Sequence, residues 1–177
     1  MRKKNASANF IKTCFCQAFI DLLKTKSYLT ISISDICRKS GFGRTSYYRY
    51  FSNNKEELLL FISHLKWEEY KKSCSIEEQK DEGKMLLNHI YQHREFFLLL
   101  YNQNLTHVLV KILFNEFGRK TDENILFSYG KAFFTGAYFG IIYNWIIGGC
   151  KDTPEEISSQ FMQGIMLAIE LEKNKNK

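Results

Sequence analysis

Residues 31–58 read ISISDICRKSGFGRTSYYRYFSNNKEEL, and this stretch has the pattern of a helix, a tight turn and a second helix. Ser32, followed three residues later by Asp35, forms a capping-box signature, so a helix is predicted to begin at Ile33. Gly41 follows that short run, where a redirection of the chain needs a residue that tolerates a positive φ angle. A second helix is predicted to begin near Gly43.

The second of these helices is rich in groups that hydrogen-bond bases or phosphates. It carries Arg44, Thr45, Ser46, Tyr47, Tyr48 and Arg49, and no acidic residue. A helical hairpin packed in an ordinary core has the same spacing, so the spacing alone leaves DNA binding and simple core packing both open.

Positive charge is concentrated in the same part of the chain. Residues 1–66 contain 12 of the 25 Lys and Arg residues and 4 of the 19 Asp and Glu residues, which gives that part a net charge of +8 and the remainder −2. Such asymmetry is what neutralisation of a phosphate backbone requires. A solvated surface or a membrane-surface patch has the same charge pattern.

The order of residues in this stretch resembles a known family. Gly41 and Phe42, then Tyr48-Arg49-Tyr50-Phe51, then Lys55-Glu56-Glu57-Leu58, resemble the N-terminal domain of TetR/AcrR-type transcriptional regulators. The resemblance is specific over residues 7–62 and only architectural afterwards. Three features depart from it: Gly43 stands where a capping serine is common, Cys37 replaces a usual alanine, and the segment before Lys55 is one residue longer than the commonest spacing.

The resemblance implies an all-α protein of about nine helices. A three-helix helix-turn-helix DNA-binding domain is expected at residues 1–54, and a helical ligand-binding and dimerisation domain at residues 55–177. It also implies which residues bind DNA. Arg44 is the first choice for a base contact, since its guanidinium pairs with a guanine edge. The full predicted set is Ser34, Arg44, Thr45, Ser46, Tyr48, Arg49, Tyr50 and Lys55, of which Tyr48, Tyr50 and Lys55 resemble phosphate-contacting positions. Tyr47 is expected to pack against the first helix and Phe51 to anchor the unit to the core.

Apolar periodicity predicts the remaining helices. They are expected at residues 7–24, 55–72, 85–92, 95–101, 105–117 and 122–148, with the last helix from Pro154 to about Leu171 and a loop at 75–84. Thr153 is a plausible cap for the last helix.

Lys131 and Lys151 bracket 19 uncharged residues, a length that would span a membrane. Thr135, Asn144 and several glycines in this segment favour instead a helix buried on most sides. Ala132, Gly136 and Gly140 recur at four-residue steps and would allow another helix to approach closely. In the family the last two helices form a homodimer, so we expect an interface of Ala132, Gly136, Gly140, Phe161, Ile165 and Ile169; packing within one chain is the alternative.

An inducer of this family enters a cavity among the middle helices and the eighth. The expected lining residues are Trp67, His89, Tyr91, Phe97, Tyr101, His107, Phe133 and Tyr138, which suit a small hydrophobic or aromatic ligand. An aromatic cluster is also what a plain core contains.

Nothing in the sequence favours an enzyme. His89 and His93, four residues apart with Glu95 or His107 nearby, form only a weak metal motif, and no nucleophile elbow, phosphate-binding loop, CxxC pair or dinucleotide fingerprint is present. No cofactor or resident metal is therefore expected. The five cysteines are odd in number and no signal peptide precedes them, so a cytoplasmic protein with free thiols is expected, with redox sensing as a minor alternative.

The sequence therefore predicts a cytoplasmic, homodimeric repressor that binds a palindromic double-stranded DNA operator, does not enter the membrane and is released by a small molecule. A partner-controlled regulator or an activator would share this sequence pattern. Less favoured alternatives are a membrane-associated helical protein and a metal-dependent enzyme.

Overall fold

The computed structural model describes residues 2–118 and 124–175. These residues form nine α-helices and no strand. The helices are α1 Arg2–Leu23, α2 Ile33–Ser40, α3 Arg44–Tyr50, α4 Glu56–Ser73, α5 Glu82–Gln92, α6 Arg94–Asn102, α7 Thr106–Phe117, α8 Ile125–Ile147 and α9 Pro154–Lys175, with short 3-10 turns at Tyr28–Thr30 and Glu78–Lys80. The all-α class and the number of helices are confirmed.

Helix α2 begins and ends as predicted. Ser32 Oγ accepts from the amide of Asp35 while the Asp35 carboxylate accepts from the amide of Ser32, which closes the capping box. Hydrogen bonds from the Ser32 hydroxyl and amide hold the pKa of Asp35 below its ordinary value. Gly41 ends the helix at φ +78°. This left-handed conformation is energetically unfavourable for residues with a Cβ atom, and glycine adopts it without that penalty.

Helices α1 to α3, called here the three-helix unit, share an aromatic core. Phe15 of α1 lies 5.3 Å from the ring of Tyr47 and 6.4 Å from that of Phe51, both in edge-on contact. Phe15, Phe19 and Tyr47 are fully buried. Each such aromatic pair adds about 0.5–1.5 kcal/mol beyond the burial of its area. The predicted packing of Tyr47 against α1 and the anchoring by Phe51 are therefore seen in the structure.

Helix α4 follows the three-helix unit and packs against both α1 and α7. Its buried face carries Leu58, Leu59, Ile62 and Trp67. Asn54 caps it, because Asn54 Oδ1 accepts from the amide of Glu56. Helices α5 to α7 complete this core and contact α8 and α9.

The final two helices leave much apolar surface uncovered. α8 begins with an Asn124 cap and α9 with a Thr153–Glu156 capping box, as expected for Thr153. Among the described helices α8 is long and apolar enough to span a membrane by length and composition, and 17% of its most apolar window is buried within the chain. Within one chain α8 is therefore not buried on most sides.

Several predicted boundaries shift. α1 begins at Arg2 rather than residue 7, and the segment expected as a loop at 75–84 contains a 3-10 turn and the start of α5. Asp81 explains the early start of α5, because its carboxylate accepts from the amide of Lys84 and caps the helix. The predicted start of α8 at residue 122 lies outside the described residues.

Candidate nucleic-acid interface and cavity

One face of α3 is exposed and carries most of the predicted DNA-binding residues. Arg44, Thr45, Tyr48 and Arg49 are exposed, whereas Ser46 and Tyr50 are half-buried. Tyr47 is buried between them and so keeps the helix seated on α1. The exposed face presents two guanidinium groups, a hydroxyl and a phenol, which are donors suited to base edges and phosphates.

The two arginines of α3 differ in their surroundings. Arg44 Nη2 donates to the Oγ of Ser34 on α2, which orients its guanidinium across the turn. Arg49 makes no hydrogen bond or ion pair within the described part of the chain. Gly43 gives α3 no side-chain cap, so the first amides of this helix stay open to an external acceptor.

Lys55 occupies a different position from the one expected of a simple phosphate contact. Its Nζ donates to the carbonyl oxygens of Tyr28 and Ile31, each at 2.7 Å, and lies 4.2 Å from the centre of the Tyr28 ring. Burial lowers the pKa of this ammonium group. Two of its three donors therefore stabilise the α1–α2 connection, and one remains for a phosphate.

Contacts between distant parts of the chain join the three-helix unit to the rest. Gln103, in the α6–α7 turn, donates to the carbonyls of Leu23 and Lys26 and accepts from the amide of Tyr28 at 2.8 Å. Glu56, at the start of α4, accepts from Nζ of Lys111 and lies 2.7 Å from Nε2 of His107. Burial opposes ionisation of Glu56, but these two partners hold its pKa below the ordinary value.

A cavity of about 1460 Å³ opens among α4, α5, α7 and α8. Its walls combine aromatic rings with carboxylates and a few basic groups; they include Trp67, Phe117, Phe127, Phe134, Tyr138, Glu68, Glu82, Glu116, His64, Lys71 and Lys131. Gly83 lies against Tyr138 on one wall, and a Cβ there would make the Tyr138 ring move, because it would collide with the hydroxyl of that ring. The aromatic lining with a few polar groups is typical of a small-molecule site, and the volume exceeds the about 300–1,000 Å³ usual for one.

Comparison with known proteins identifies the family. The family model TetR_C_8, described as "Transcriptional regulator C-terminal region", matches residues 80–166, the part that contains α5 to α8 and the start of α9. This chain is a TetR-family transcriptional regulator. No curated protein matches.

Two solved structures share the fold of this TetR-family chain. The "Dihydroxyacetone kinase operon activator DhaS" has a TM-score of 0.54 and 24% sequence identity, over 91% of this chain and 97% of that one. A TetR transcriptional regulator from Streptococcus agalactiae 2603V has a TM-score of 0.50 and 22% identity, over 93% and 98% of the two chains.

Only two of the eight residues predicted to line a ligand pocket in this TetR-family chain lie on the cavity wall, Trp67 and Tyr138. His89 is buried behind Trp67, with ring centres 5.1 Å apart, next to His93 and Phe97. Tyr91 stacks on Trp145, and Tyr101 packs against Tyr143. His107 pairs with Glu56 outside the cavity, and Phe133 is 72% exposed. These six positions are corrections, because the packing of α5 to α8 turns their side chains into the core or outward.

The histidine cluster suggested by the sequence does not assemble. His89 and His93 are neighbours, with ring centres 4.8 Å apart, but His107 lies elsewhere and Glu95 is exposed. A different set meets at the cavity rim: His64, Glu68 and Glu116. The four-residue spacing of His64 and Glu68 was visible in the sequence, whereas Glu116 is 52 residues from its partner His64.

The residues predicted at a dimer interface lie on uncovered helix surface where they are described. Gly136 is exposed, Ala132 and Gly140 are half-buried, and a Cβ at either glycine would meet only open space. Phe161 is half-buried, 6.1 Å from the ring of Tyr138. The side chains of Ile165 and Ile169 lie outside the described residues.

The cysteines are free thiols, and three of the five are buried. Burial raises the pKa of the Cys16 thiol to about 12, and its Sγ–H donates to the carbonyl of Leu58. Such a thiol is a poor nucleophile at neutral pH, so Cys16 does not suit a redox sensor. Cys14 and Cys74 are half-buried.

Proposed function

We propose that this TetR-family chain is a homodimeric, cytoplasmic regulator that binds a near-palindromic DNA operator through α3 of each subunit. The observation that carries the proposal is the exposed face of Arg44, Thr45, Tyr48 and Arg49 on a helix held by the buried Tyr47. The net charge of +8 in residues 1–66 supports contact with phosphates. A symmetric dimer supplies the two half-site contacts that such a unit needs.

We assign base contacts to Arg44, Thr45, Ser46 and Arg49, with Ser34 orienting Arg44. Phosphate contacts are assigned to Tyr48, Tyr50 and the remaining donor of Lys55. The uncovered apolar surface of α8 and α9, with Gly136 and Gly140 open to close approach, supports a dimer built from these two helices.

Regulation by a small molecule would act through the cavity. In a dimer, such control needs a ligand that binds more tightly when the three-helix units of the two subunits are far apart. This ligand must lower operator affinity, and the operator must lower ligand affinity by the same coupling free energy. Helix α4 lines this cavity and is separated from α3 by only five residues, so it is the element that relates the two sites. In this mechanism the protein is a repressor, and an aromatic or hydrophobic ligand releases it from the operator.

An activator is the second candidate. One structural neighbour carries the name of an operon activator, and an activator uses the same DNA-binding fold. Control by a partner protein instead of a small molecule also fits the uncovered apolar surface of α8.

The test is binding of the purified chain to a DNA fragment from beside its own gene, compared with scrambled DNA across a salt series. We expect the native fragment to bind at least about a thousandfold more tightly, with both affinities falling steeply as salt rises. Absence of binding to either fragment at low salt would refute the proposal. Transcription from the same fragment in vitro then separates a repressor from an activator.

A further inference from the structure

Three side chains with metal-binding atoms meet where α4 passes α7, at the rim of the cavity. His64 and Glu68 lie one turn apart on α4, and Glu116 lies near the end of α7. Nδ1 of His64 is 2.7 Å from Oε1 of Glu116, and one ligand atom from each of the three residues lies within 4.8 Å of the others. This is the one such group among the described residues.

We propose that His64, Glu68 and Glu116 bind a divalent transition-metal ion, with Zn²⁺ as the best fit, and that the ion ties α4 to α7. The binding site stands independently of the proposed function. Its regulatory consequence rests on that function, because α4 is the helix that leads out of the three-helix unit.

The distances suit an ion after small movements of side chains alone. Zinc binds histidine nitrogen and carboxylate oxygen at about 2.0–2.2 Å, so its ligand atoms lie about 3–3.5 Å from each other. The contact between His64 and Glu116 would open by less than about 1 Å, and Glu68 would move inward by less than about 2 Å. The backbones of α4 and α7 can stay in place.

The chemistry of the three donors selects the class of ion. One imidazole and two carboxylates carry a charge of −2 together, which matches a divalent cation. A nitrogen donor favours Zn²⁺ and its neighbours over Ca²⁺ and Mg²⁺, which prefer sites made only of oxygen. Two ligands four residues apart on one helical face, completed by a residue from another helix, also form a known arrangement for zinc.

The site is open to solvent, and one of its carboxylates already has a cationic partner. The side chain of His64 is 54% exposed, so an ion reaches the site from solvent. Lys71 Nζ lies 2.5 Å from Oε1 of Glu68 and competes with the ion for that carboxylate. The Lys71 side chain is 38% exposed and is free to swing toward water when the ion binds.

The direct test is a titration of the chelator-treated, full-length protein without an affinity tag, using Zn²⁺ by calorimetry and Co²⁺ by absorption. We expect one ion per chain and a Co²⁺ spectrum without the near-ultraviolet band of a thiolate ligand, which excludes the cysteines. His64→Ala and Glu116→Gln should each weaken binding at least about tenfold. Lys71→Ala should strengthen binding, because it removes the competitor.

His107→Ala is the matched control. His107 is likewise a half-exposed histidine 2.7 Å from a glutamate oxygen, but no third ligand joins it and Glu56. Its removal should leave the affinity for Zn²⁺ unchanged. Wild-type affinity in the His64→Ala/Glu116→Gln double variant, with its helical content verified by circular dichroism, would overturn the site.

The regulatory consequence is tested by operator binding with and without one equivalent of Zn²⁺. We expect the ion to change operator affinity in the wild type and not in His64→Ala. Unchanged operator affinity on a metal-loaded protein would overturn the regulation and leave the site standing. Absence of any DNA binding would instead refute the proposed function, and the metal titration is unaffected by that result.

Discussion

At the scale of single residues, exposure separates the side chains that hold α3 in place from those offered to DNA. Tyr47 is fully buried, while Arg44 and Arg49, three residues before it and two after it, are exposed. Arg49, two residues after Tyr47, lies on the opposite side of the helix, and Arg44 extends from its first turn, so one short element both packs on α1 and presents donors to solvent. Arg44 is further oriented by Ser34.

Replacing Arg44 with alanine should remove discrimination at one base position. A bidentate contact between arginine and guanine contributes about 1–3 kcal/mol, so operator affinity should fall by that amount and affinity for scrambled DNA by much less. Competition binding with operators substituted at single positions measures the effect.

Lys80→Ala is the control for Arg44→Ala, because it removes the same charge from an exposed side chain in the Glu78–Lys80 turn, outside the three-helix unit. It should bind the operator as the wild type does. An equal loss on operator and scrambled DNA for Arg44→Ala would mean that Arg44 contacts phosphate instead of a base.

His89 should make the protein less stable as pH falls. Burial, followed by the nearby charges of His93 and Lys66, lowers the pKa of His89 to about 3, whereas an unfolded histidine titrates near 6.5. Below pH 6.5 the unfolded state therefore binds more protons than the folded state, and the free energy of unfolding falls with pH down to about 3. Between pH 7 and pH 5 the contribution is about 2 kcal/mol.

Denaturant unfolding of His89→Leu at the two pH values measures this effect. The variant should lose less stability than the wild type on acidification. Leu87→Ala, at a buried position on the same helix, should lower stability by a similar amount at both pH values. An unchanged pH dependence in His89→Leu would show that His89 is not the responsible group.

At the scale of elements, turns and caps determine how α2, α3 and α4 follow one another. The Ser32–Asp35 box starts α2, Gly41 ends it, and Asn54 starts α4. These are interactions between residues two to four apart, so they form as soon as the local chain does.

Gly41→Ala should destabilise the protein by about 1–2 kcal/mol, because alanine is strained at a positive φ. Gly43→Ala is the matched control: both sites have open space at the Cβ, but the φ of Gly43 is −75°. Thermal unfolding compares the two. Equal effects would show that backbone conformation at Gly41 is not what requires glycine.

Gln103 links the α6–α7 turn to the three-helix unit, so its loss should loosen that unit. Gln103→Ala removes three hydrogen bonds, each contributing about 0.5–1.5 kcal/mol, and leaves the amide of Tyr28 without its partner. Amide hydrogen exchange in residues 24–30 should therefore accelerate. Asn102→Ala, at the neighbouring exposed position, should leave exchange there unchanged. Unchanged exchange in Gln103→Ala would contradict the link.

At the scale of the whole molecule, apolar side chains are buried in the core on one side of the chain and exposed on α8 and α9 on the other. Phe127, Phe133 and Phe134 of α8 and Met166 and Leu167 of α9 are more than half exposed, an uncommon amount of apolar surface for a protein that works as a monomer. The two glycines of α8 at positions 136 and 140 lie open beside this surface.

Gly136→Leu should weaken dimerisation without unfolding the chain. The leucine has room within one subunit, since beyond its chain neighbours and the backbone of its own helix no atom lies within 4 Å of a Cβ there, but it would hold a partner helix away. Analytical ultracentrifugation should show a shift from dimer to monomer with unchanged helical content. Lys151→Leu, in the turn after α8, should remain dimeric. A dimer of unchanged affinity in Gly136→Leu would place the interface elsewhere.

The sequence by itself determined the parts of this protein that depend on neighbours along the chain. The capping box of α2, the glycine at positive φ and the start of α9 at Pro154 were all predicted, because helix signals act within one or two turns. The family resemblance of residues 31–58 supplied the residues expected to contact DNA.

Only the tertiary structure decided which side chains meet across helices. Gln103 reaches backbone 75–80 residues away, Glu56 pairs with His107 and Lys111, and six of the eight expected pocket residues point away from the cavity. Aromatic residues of α5 to α8 satisfy the same apolar periodicity whether they line a cavity or fill a core. The angles and offsets at which those helices pack decide between the two, and no signal within one helix encodes them.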